Sequence, residues 1–465
     1  MEKLGRFLLL VLLAVSVWSC SGDDEEIVES VPMIPLEPST PIPPVEKPDS
    51  VPEGRVIMQA FYWDVPAGGT WWQKIESKIP AWSDAGITAV WLPPANKSQS
   101  GGYSMGYDPY DYYDFGKYNQ HGTVETRFGS EAELKSLIET AHGKKLEVIA
   151  DIVINHNSGG ASEYNKWKGE NTWTDFSPKS GKFIRHAEHF HPNGIHESDE
   201  GTFGGFPDLC LDNAYVQDWL WKRDDSVGKY YRDVMGFDAW RFDYVKGFAP
   251  WVVKEWNKAI GGFSVGEFWD GDVQKLYAWV KESESPAFDF PCFYKMDEAF
   301  DGNDFTKLNS DMLWKRDSEK AVTFVANHDI EHHDGARIWN KNYAYAYIMT
   351  HPGTPCLFYQ DYEEWLDKEA LNKLITIKRT LAKGDVTVLH IDNDEYVARR
   401  EGGSGLIVFL NGSDQTKSRK VSTLWAGKRI KDATGNSDKV LTVNADGTVF
   451  VECPKENYTV WTLAE

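Results

Sequence analysis

Cysteine and basic residues are both scarce in this sequence. Only five cysteines occur among 465 residues, and their positions follow no disulfide-framework spacing. The 49 basic residues are outnumbered by 71 acidic ones, which gives a formal net charge of −22. Nucleic acids and polyanionic substrates need a basic surface, so this balance argues against both classes of partner. The long apolar run near the N-terminus, FLLLVLLAVSV, is too short to span a membrane.

That apolar run follows Lys3 and Arg6 and is typical of a signal peptide over residues 1–19. The next residue, Cys20, resembles the lipidated cysteine of a bacterial lipoprotein; plain secretion with an incidental cysteine is the alternative. The acidic run SGDDEE after it resembles a signal for sorting to the outer leaflet in one group of Gram-negative bacteria. We therefore expect an exported protein that is lipid-anchored to the outer membrane and exposed at the cell surface, or otherwise a secreted or periplasmic one.

Proline is concentrated in the segment that follows, with eight prolines between residues 21 and 53. This composition predicts that residues 20–53 form an extended tether of polyproline II character. The lipid at Cys20 is then the only expected contact with the membrane. We expect the folded part to be a monomer.

Aromatic residues are abundant, at 14% of the chain, with 20 tryptophans and 21 tyrosines. One interpretation is a large core. The other is a set of stacking platforms for flat, uncharged ligands such as sugar rings. Composition alone leaves both open.

From residue 56 onward, strand-like and helix-like patterns alternate. This order predicts a (β/α)8 barrel over residues 54–383. The gap after the third strand is long and rich in Gly, His, Asn and Asp, which predicts an inserted irregular subdomain over about 157–210. Alternating patterns between turn signals predict a C-terminal antiparallel β-sandwich over 384–465. The expected barrel strands are 56–63, 87–94, 146–156, 237–245, 263–269, 287–294, 321–329 and 354–362, and the expected helices include 131–143, 251–260 and 369–384.

The fourth expected strand, FDAWRFDYV, carries two charges within an otherwise apolar run. Side chains alternate between the faces of a strand. We therefore expect Trp240, Phe242 and Tyr244 to face the helices, and Arg241 and Asp243 to face inward. Two further expected strands contain the remaining thiols of this region, at positions 292 and 356, and we expect both to be buried.

Three carboxylates end three different strands: Asp243, Glu267 and Asp329. Barrel chemistry takes place at those strand ends. Any one acid there can be a simple salt bridge, but three of them beside Arg241 and two histidines are hard to explain as packing. Glycosidic cleavage needs one carboxyl group that protonates the leaving oxygen and one carboxylate that attacks or stabilises the anomeric carbon. We expect Arg241 to keep Asp243 ionised, and burial near other acids to raise the pKa of Glu267.

Four motifs in order, DIVINH, GFDAWRFDYVKG, GEFW and FVANHD, resemble the α-amylase family, glycoside hydrolase family 13, over about residues 55–465. The stretches GGYSMGYDPYDYYDFG and DEGTFGGFPD are most similar to its archaeal-type and plant-type members. The resemblance implies endo-acting hydrolysis of α-1,4-glucosidic bonds in starch-type or glycogen-type glucans, with retained configuration. Another α-glucan hydrolase or a transglycosylase of this family is an alternative. A non-catalytic glycan-binding surface lipoprotein is an alternative of a different class.

The same resemblance implies roles for individual residues. Asp243 is expected to be the nucleophile, Glu267 the general acid/base and Asp329 the transition-state stabiliser. A retaining mechanism places the carboxyl groups of Asp243 and Glu267 about 5–5.5 Å apart. The residues expected to bind substrate are Tyr107, His156, Arg241, Lys246 and His328.

The resemblance also implies a calcium ion between the barrel and the insert. Calcium prefers several oxygen ligands, and the expected donors are Asn155, Asp199, Gly201, Asp208 and Gly247. This chain has glycine at 247 where many relatives have histidine, and its carbonyl can still serve. The alternative is a solvated acidic loop.

The inserted segment HPNGIHESDEGTFGGFPDLC also contains His191, His196 and Cys210. Two imidazoles and a thiol suit zinc, whereas calcium prefers oxygen. Archaeal-type members resemble this pattern and can carry zinc beside calcium. The alternative is two surface histidines and a buried thiol, and His186 and His189 are further candidates nearby.

Overall fold

The fold is described from a computed structural model, which describes residues 54–195 and 201–464. The expected signal peptide and tether with Cys20, and two expected metal ligands, Asp199 and His196, lie outside these residues. None of the helices within the described ranges is long and apolar enough to cross a membrane.

Eight parallel strands close into a barrel in which each strand pairs with its neighbours in sequence, and the last pairs with the first. The expected barrel is therefore confirmed. The strands are short and almost wholly buried, as expected for parallel strands covered on both faces. They are β1 (Ile57–Gln59), β2 (Ala89–Trp91), β3 (Glu147–Ile152), β4 (Ala239–Phe242), β5 (Phe263–Gly266), β6 (Ala287–Phe288), β7 (Ala321–Phe324) and β8 (Thr354–Phe358).

Helices surround the barrel, and two have the expected bounds, Glu131–Gly143 and Trp251–Ile260. The first begins with a capping box, in which Ser130 accepts from the backbone of Glu133 while the Glu133 carboxylate accepts from the Ser130 backbone. The α-helices are α1 (Trp71–Glu76), α2 (Ile79–Ala85), α3 (Glu131–Gly143), α4 (Ala214–Gln217), α5 (Val227–Tyr230), α6 (Trp251–Ile260), α7 (Val273–Ser283), α8 (Phe290–Phe300), α9 (Leu313–Arg316), α10 (Lys341–Thr350) and α11 (Lys368–Thr380). Single π-turns span Asp218–Lys222, Tyr231–Met235 and Asp361–Trp365, and 3₁₀ turns span Gly101–Tyr103, Ala187–His189, Val245–Gly247 and Phe305–Asn309.

The fourth strand shows the expected alternation over most of its length. Trp240 and Phe242 both pack edge-on against Trp256 of α6, with ring centroids 5.8 and 5.6 Å apart. The expectation for Tyr244 was wrong. The strand ends at Phe242, and Tyr244 adopts a left-handed conformation with φ of 44°. This turn directs its ring toward Phe203 of the insert instead of toward the helices.

The sixth expected strand, 287–294, was also too long, because only Ala287–Phe288 pairs. Asp289 then caps α8 by accepting from the backbone nitrogen of Cys292, and Pro291 occupies the first turn, where a missing N–H costs nothing. Cys292 is therefore buried in a helix and not in a strand, whereas Cys356 is buried in β8 as expected. The last expected helix likewise ends early, at Thr380, and a strand begins at Lys383.

The segment between β3 and β4 contains a short antiparallel hairpin, Ala161–Asn165 with Glu170–Asp175. A smaller two-stranded pair, Lys97–Ser98 with Pro109–Asp111, lies between β2 and α3. An isolated bridge between His156 and Asp208 joins the end of β3 to the end of the insert. The insert is thereby tied to the barrel at the strand end where chemistry is expected.

The C-terminal part forms two antiparallel sheets, as the alternating pattern predicted. Its own apolar cluster includes Val397, Phe409 and Trp461, which are fully buried. The six-stranded sheet has the order β9-β10-β11-β16-β13-β14, and β12 pairs with β15. The strands are β9 (Lys383–Ile391), β10 (Glu395–Gly402), β11 (Leu406–Asn411), β12 (Lys417–Ser422), β13 (Arg429–Asp432), β14 (Val440–Thr442), β15 (Thr448–Cys453) and β16 (Asn457–Leu463).

Candidate active site

The guanidinium of Arg241 lies at the centre of the polar cluster at the barrel's strand ends. Arg241 is fully buried on the inward face of β4. Its Nη1 donates to Asp243 Oδ1 at 2.9 Å, so the expected pairing of these two residues is present. Nη1 also donates to both oxygens of Asp151, at 2.9 and 3.1 Å. The arginine therefore holds two carboxylates with one nitrogen.

Glu267 lies on the other side of the same guanidinium. Its Oε1 forms an ion pair with Arg241 Nη2 at 2.6 Å, and its Oε2 accepts from the backbone nitrogen of Tyr244 at 3.1 Å. The backbone nitrogen of Glu267 donates to the carbonyl of Phe242 at 3.0 Å, so the strand register itself positions the carboxyl group. The fold thus brings the carboxyl group of Asp243 to one terminal nitrogen of the guanidinium and the carboxyl group of Glu267 to the other.

The two carboxyl groups of this pair are both shifted toward the protonated form. Burial raises the pKa of Glu267 to about 8 against the effect of Arg241, and the charges of Asp243 and Asp329 add to the rise. Burial likewise raises the pKa of Asp243 to about 7, although Arg241 favours its ionised form. The expected direction for Glu267 is found. Arg241 does not keep the pKa of Asp243 low, because burial and the negative charges of Asp151 and Asp329 outweigh its effect.

Tyr107 and His328 form an aromatic wall beside these acids. Their rings stack with centroids 5.2 Å apart, and the Tyr107 hydroxyl donates to Asp151 Oδ2 at 2.9 Å. The side-chain amide of Gln59 lies 2.9 Å from His328 Nδ1, which leaves Nε2 to face the acids. Nε2 is 3.3 Å from Asp329 Oδ2. Burial lowers the pKa of His328 to about 4, so the ring is neutral at pH 7.

Lys246 lines the cleft, and His156 contacts Tyr107, another lining residue. His156 Nε2 is 2.9 Å from the carbonyl of Tyr107, and the His156 ring stacks with Phe203 and Phe206. Lys246 Nζ is 3.2 Å from Asp270 Oδ2 and remains partly exposed. Both expected substrate-binding residues therefore contact groups that border the acids.

These side chains surround an open cleft with a volume of about 830 Å³, within the roughly 300–1,000 Å³ typical of ligand sites. All three expected catalytic acids line it or its floor, together with aromatic rings and polar groups from several loops. The lining residues are Trp63, Asp64, Gln99, Ser100, Tyr103, Ser104, Met105, Tyr107, Asp108, Phe203, Phe206, Asp243, Tyr244, Lys246, Glu267, Trp269, His328, Asp329 and His333.

Two of the site residues that sequence reasoning missed are Asp151 and Trp63. Asp151 begins the quoted DIVINH motif, and an acid inside an apolar strand was a usable signal for it. In the structure it is fully buried, it pairs in register with Arg241, and it also accepts from Trp91 Nε1 at 3.1 Å. Trp63, whose ring stacks on both Tyr107 and His328, lies a few residues beyond the end of β1, where the strand-end rule also applies.

A second cluster of oxygen atoms lies where β3 meets the insert. The Asn155 Oδ1 and Asp208 Oδ1 atoms are both buried without a hydrogen-bond partner in the described structure. The backbone nitrogen of Leu209 donates to the Asn155 carbonyl at 2.9 Å. A Cβ at Gly247 would lie 2.0 Å from Asn155 Oδ1, so only glycine allows this approach. A Cβ at Gly201 would lie 4.0 Å from the Cα of Gly247.

Four of the five expected calcium donors are therefore brought together, and the fifth lies outside the described residues. Buried oxygens without donors are costly unless something compensates them. A hard cation that prefers carbonyl and carboxylate oxygens fits this donor set.

His191 and Cys210 lie next to this cluster. His191 Nδ1 is 3.1 Å from Asp208 Oδ2, and His191 Nε2 is buried without a hydrogen-bond partner in the described structure. Burial lowers the pKa of His191, but Asp208 and Cys210 outweigh that effect and raise it to about 10. The only triad of acidic, His or Cys side chains close enough to share an ion, within the described ranges, is His390, Asp392 and Glu395. His196, the third expected zinc ligand, lies outside the described residues, so the expected zinc set stays a prediction.

Two protein-family models match parts of this chain. Residues 60–249 match the family model described as the α-amylase catalytic domain, and residues 406–462 match the α-amylase C-terminal domain. A cytoplasmic α-amylase of Escherichia coli K12 is 28% identical, with 88% of this chain and 99% of the relative aligned. A probable α-amylase of Arabidopsis thaliana is 30% identical over 74% of this chain and 86% of the relative.

A solved structure, the α-amylase of Geobacillus thermoleovorans in complex with acarbose, is similar with a TM-score of 0.69 at 20% identity. The alignment covers 89% of this chain and 98% of that one. At that identity the likeness supports the fold alone. Together with the family models and the aligned relatives, the observations show that this chain belongs to the α-amylase family of glycoside hydrolases, family 13.

Proposed function

We propose that this chain hydrolyses internal α-1,4-glucosidic bonds of starch-type or glycogen-type glucans and retains the anomeric configuration. One observation carries the proposal: a single buried guanidinium, Arg241, holds Asp243 and Glu267 on its two nitrogens at the floor of an aromatic cleft. A pair of carboxyl groups in one such site is what glycoside cleavage requires.

In the proposed mechanism, Glu267 is the proton donor and Asp243 the nucleophile. Glu267 protonates the glycosidic oxygen while Asp243 attacks the anomeric carbon, so the leaving sugar departs with the proton and a glycosyl–Asp243 ester forms. Glu267, now ionised, takes a proton from water, which attacks the same carbon and releases Asp243. The higher pKa of Glu267 matches the donor role. We predict carboxyl groups about 5–5.5 Å apart, as retention requires.

The third acid and the histidines take supporting roles in this proposal. Asp329, beside the neutral His328, would stabilise the positive charge that develops on the sugar ring. Tyr107 presents a ring for stacking on the sugar at the cleavage point. Lys246, which lines the cleft, and His156, which contacts the Tyr107 carbonyl, would bind the sugars beside it. The cleft has room for several sugar rings and aromatic groups from several loops, which supports internal cleavage.

The decisive variant is Glu267→Gln. We expect the rate of reducing-sugar release from soluble starch to fall by about 10²–10⁴, with the melting temperature retained. Glu369→Gln, which changes an exposed acid in the first turn of α11, is the matched control and should leave the rate unchanged. Unchanged activity of Glu267→Gln would overturn the assignment of the proton donor. A wild type that binds starch and releases no reducing sugar would favour a non-catalytic glycan-binding protein.

Product analysis separates the proposed activity from other family members. An endo-acting enzyme lowers the viscosity of amylose faster than it releases reducing ends, and retention is visible as α-anomers in early NMR spectra. Tests on amylose, pullulan and maltooligosaccharides distinguish it from a branch-cleaving or transglycosylating enzyme. The subgroup is also a proposal: the stretches GGYSMGYDPYDYYDFG and DEGTFGGFPD support closeness to archaeal-type and plant-type α-amylases.

We further propose that calcium binds at Asn155, Gly201, Asp208 and Gly247, with Asp199 completing the set. The ion would tie the end of β3 to the insert and compensate the two buried oxygens there. Zinc at His191, His196 and Cys210 is a separate proposal, supported by the closeness of His191 to Cys210 and by its unpartnered Nε2. Elemental analysis of purified protein tests both ions at once.

Export and lipidation at Cys20 complete the proposal. The N-terminal sequence supports them: basic residues, an apolar run and a cysteine, followed by a proline-rich tether. Cys20→Ala should release the protein from the membrane fraction, and protease treatment of intact cells should remove the wild-type protein if it faces outward. Retention of Cys20→Ala in the membrane fraction would contradict lipidation.

A further inference from the structure

A second cavity, with a volume of about 570 Å³, opens where the barrel meets the C-terminal sheet. It shares no lining residue with the catalytic cleft. We name it the Trp339 pocket, and the lining residues that matter here are Asn303, Trp339, Asn340, Asn342, Glu456 and Asn457.

Trp339 is the most unusual residue of this pocket, because 74% of its surface is exposed. Its backbone nitrogen donates to Asp301 Oδ2 at 2.6 Å, and the next backbone nitrogen, of Asn340, donates to Asp301 Oδ1 at 3.0 Å. The guanidinium of Arg337 lies 5.3 Å from the ring centroid. The backbone that carries the indole is therefore fixed, and the ring remains open to solvent, where a flat ligand can stack on it.

The rest of the lining is rich in amides. Asn303 and Asn342 are exposed, Asn457 is half-buried, and Asn340 is anchored by hydrogen bonds to Phe300 and Asp301. Amide side chains both donate and accept hydrogen bonds, as sugar hydroxyl groups do. A hydroxyl-rich ligand matches this lining better than an apolar one.

The charges of the pocket disfavour an anionic ligand. Its one lysine, Lys341, is buried and paired with Glu331 Oε1 at 2.6 Å and with Asp361 Oδ1 at 2.5 Å. The nearby Arg337 is paired with Glu331 at 3.3 Å. The remaining charged group in the lining is the exposed carboxylate of Glu456. A phosphate or carboxylate ligand would find no unpaired cation among these lining residues.

We propose that the Trp339 pocket is a second binding site for an uncharged α-glucan chain, separate from the cleft that holds the acids. The choice of glucan as ligand rests on the proposed function, whereas the site itself rests on the exposed indole, the amides and the paired lysine. Such a site would hold a polysaccharide on the enzyme while a different segment occupies the cleft. It would raise the affinity for long chains and leave short oligosaccharides unaffected.

The test measures retention of the protein in native gels that contain soluble amylopectin. All variants carry Glu267→Gln, so that the polysaccharide is not consumed. Trp339→Ala should raise the apparent Kd about tenfold, and Asn342→Ala, at an exposed helix position that tolerates alanine, should raise it less. Phe450→Ala, which removes another exposed aromatic ring (58% exposed) outside the pocket, is the matched control and should not change retention.

A second measurement uses the active enzyme. Trp339→Ala should raise KM for amylopectin while kcat and KM for maltoheptaose stay as in the wild type. If Trp339→Ala and Phe450→Ala are retained equally, the proposal is overturned. It is equally overturned if Trp339→Ala changes the mass seen by light scattering and not glucan retention, because the pocket then contacts a second copy of the chain.

The two proposals fail in different ways. If the wild type hydrolyses no glucan, the proposed function is wrong, while loss of amylopectin retention in Trp339→Ala still supports the pocket. If the wild type is active but retention does not depend on Trp339, only the pocket proposal is wrong.

Discussion

Asp151 and Arg241 lie directly opposite each other on neighbouring parallel strands, and both Asp151 oxygens accept from the same guanidinium nitrogen that serves Asp243. Asp151 also accepts from the hydroxyl of Tyr107. This buried carboxylate therefore connects the arginine that orients both acids with the aromatic wall of the cleft. We infer that Asp151 positions Arg241 and Tyr107 without touching the substrate.

Removing the charge of Asp151 is expected to shift the pH profile. Asp151 raises the pKa of Asp243, so Asp151→Asn should move the acidic limb of kcat/KM to lower pH. The value of kcat/KM should also fall, because Arg241 and Tyr107 lose a charged partner. Tyr107→Phe is the matched control: it removes only the hydroxyl and should leave the acidic limb in place. An unchanged limb in Asp151→Asn would count against the positioning role.

The activity of the wild type should follow a bell-shaped pH profile, with both limbs above the usual titration range of carboxyl groups. Asp243, with a pKa raised to about 7, must lose its proton to attack, so the rate rises as pH increases through that value. Glu267, with a pKa raised to about 8, must keep its proton to donate it, so the rate falls above that value. Values of kcat/KM, obtained from initial rates on a soluble oligosaccharide across pH 5–10, measure both limbs of the profile. A plateau that extends to pH 5 would show that Asp243 stays ionised in the site.

Chelation should destabilise the insert. An ion present at 100 times its Kd stabilises the folded state by about 2.7 kcal/mol, so EDTA should lower the melting temperature and speed proteolysis near residue 200. Calcium should restore both, and magnesium should not, because Mg²⁺ demands a tighter octahedral site. Asp208→Asn should already be destabilised and insensitive to EDTA. If EDTA leaves the wild type unchanged, the oxygen cluster does not bind calcium.

Gly266, just before Glu267, should not tolerate a side chain. A Cβ there would lie 2.2 Å from the ring of Trp279, which packs α7 behind β5. Gly266→Ala should cost about 1–3 kcal/mol of unfolding free energy and lower kcat by displacing the acid next to it. Gly335→Ala, with open space around its Cβ and an ordinary φ, should change stability by less than about 0.5 kcal/mol. Equal melting temperatures for the two variants would contradict this packing argument.

The sequence alone determined the barrel, because eight alternating strand and helix units with polar strand ends are compatible with few other folds. The bounds of the helices at 131–143 and 251–260 follow from local periodicity and capping. The two-residue period of a strand predicts that Arg241 and Asp243 face inward and that Trp240 and Phe242 face outward. These properties depend on neighbours in sequence, and so a linear pattern can predict them.

Only the tertiary structure decided what depends on groups distant in sequence. The sharing of Arg241 among Asp151, Asp243 and Glu267 depends on strand register. Burial at the centre of the fold, together with the charges of Asp151 and Asp329, raises the pKa of Asp243. The turn at Tyr244 and the start of α8 at Phe290 depend on packing and capping that override strand propensity. The Trp339 pocket is likewise built from segments far apart in the chain, because its walls meet only when the C-terminal sheet packs on the barrel.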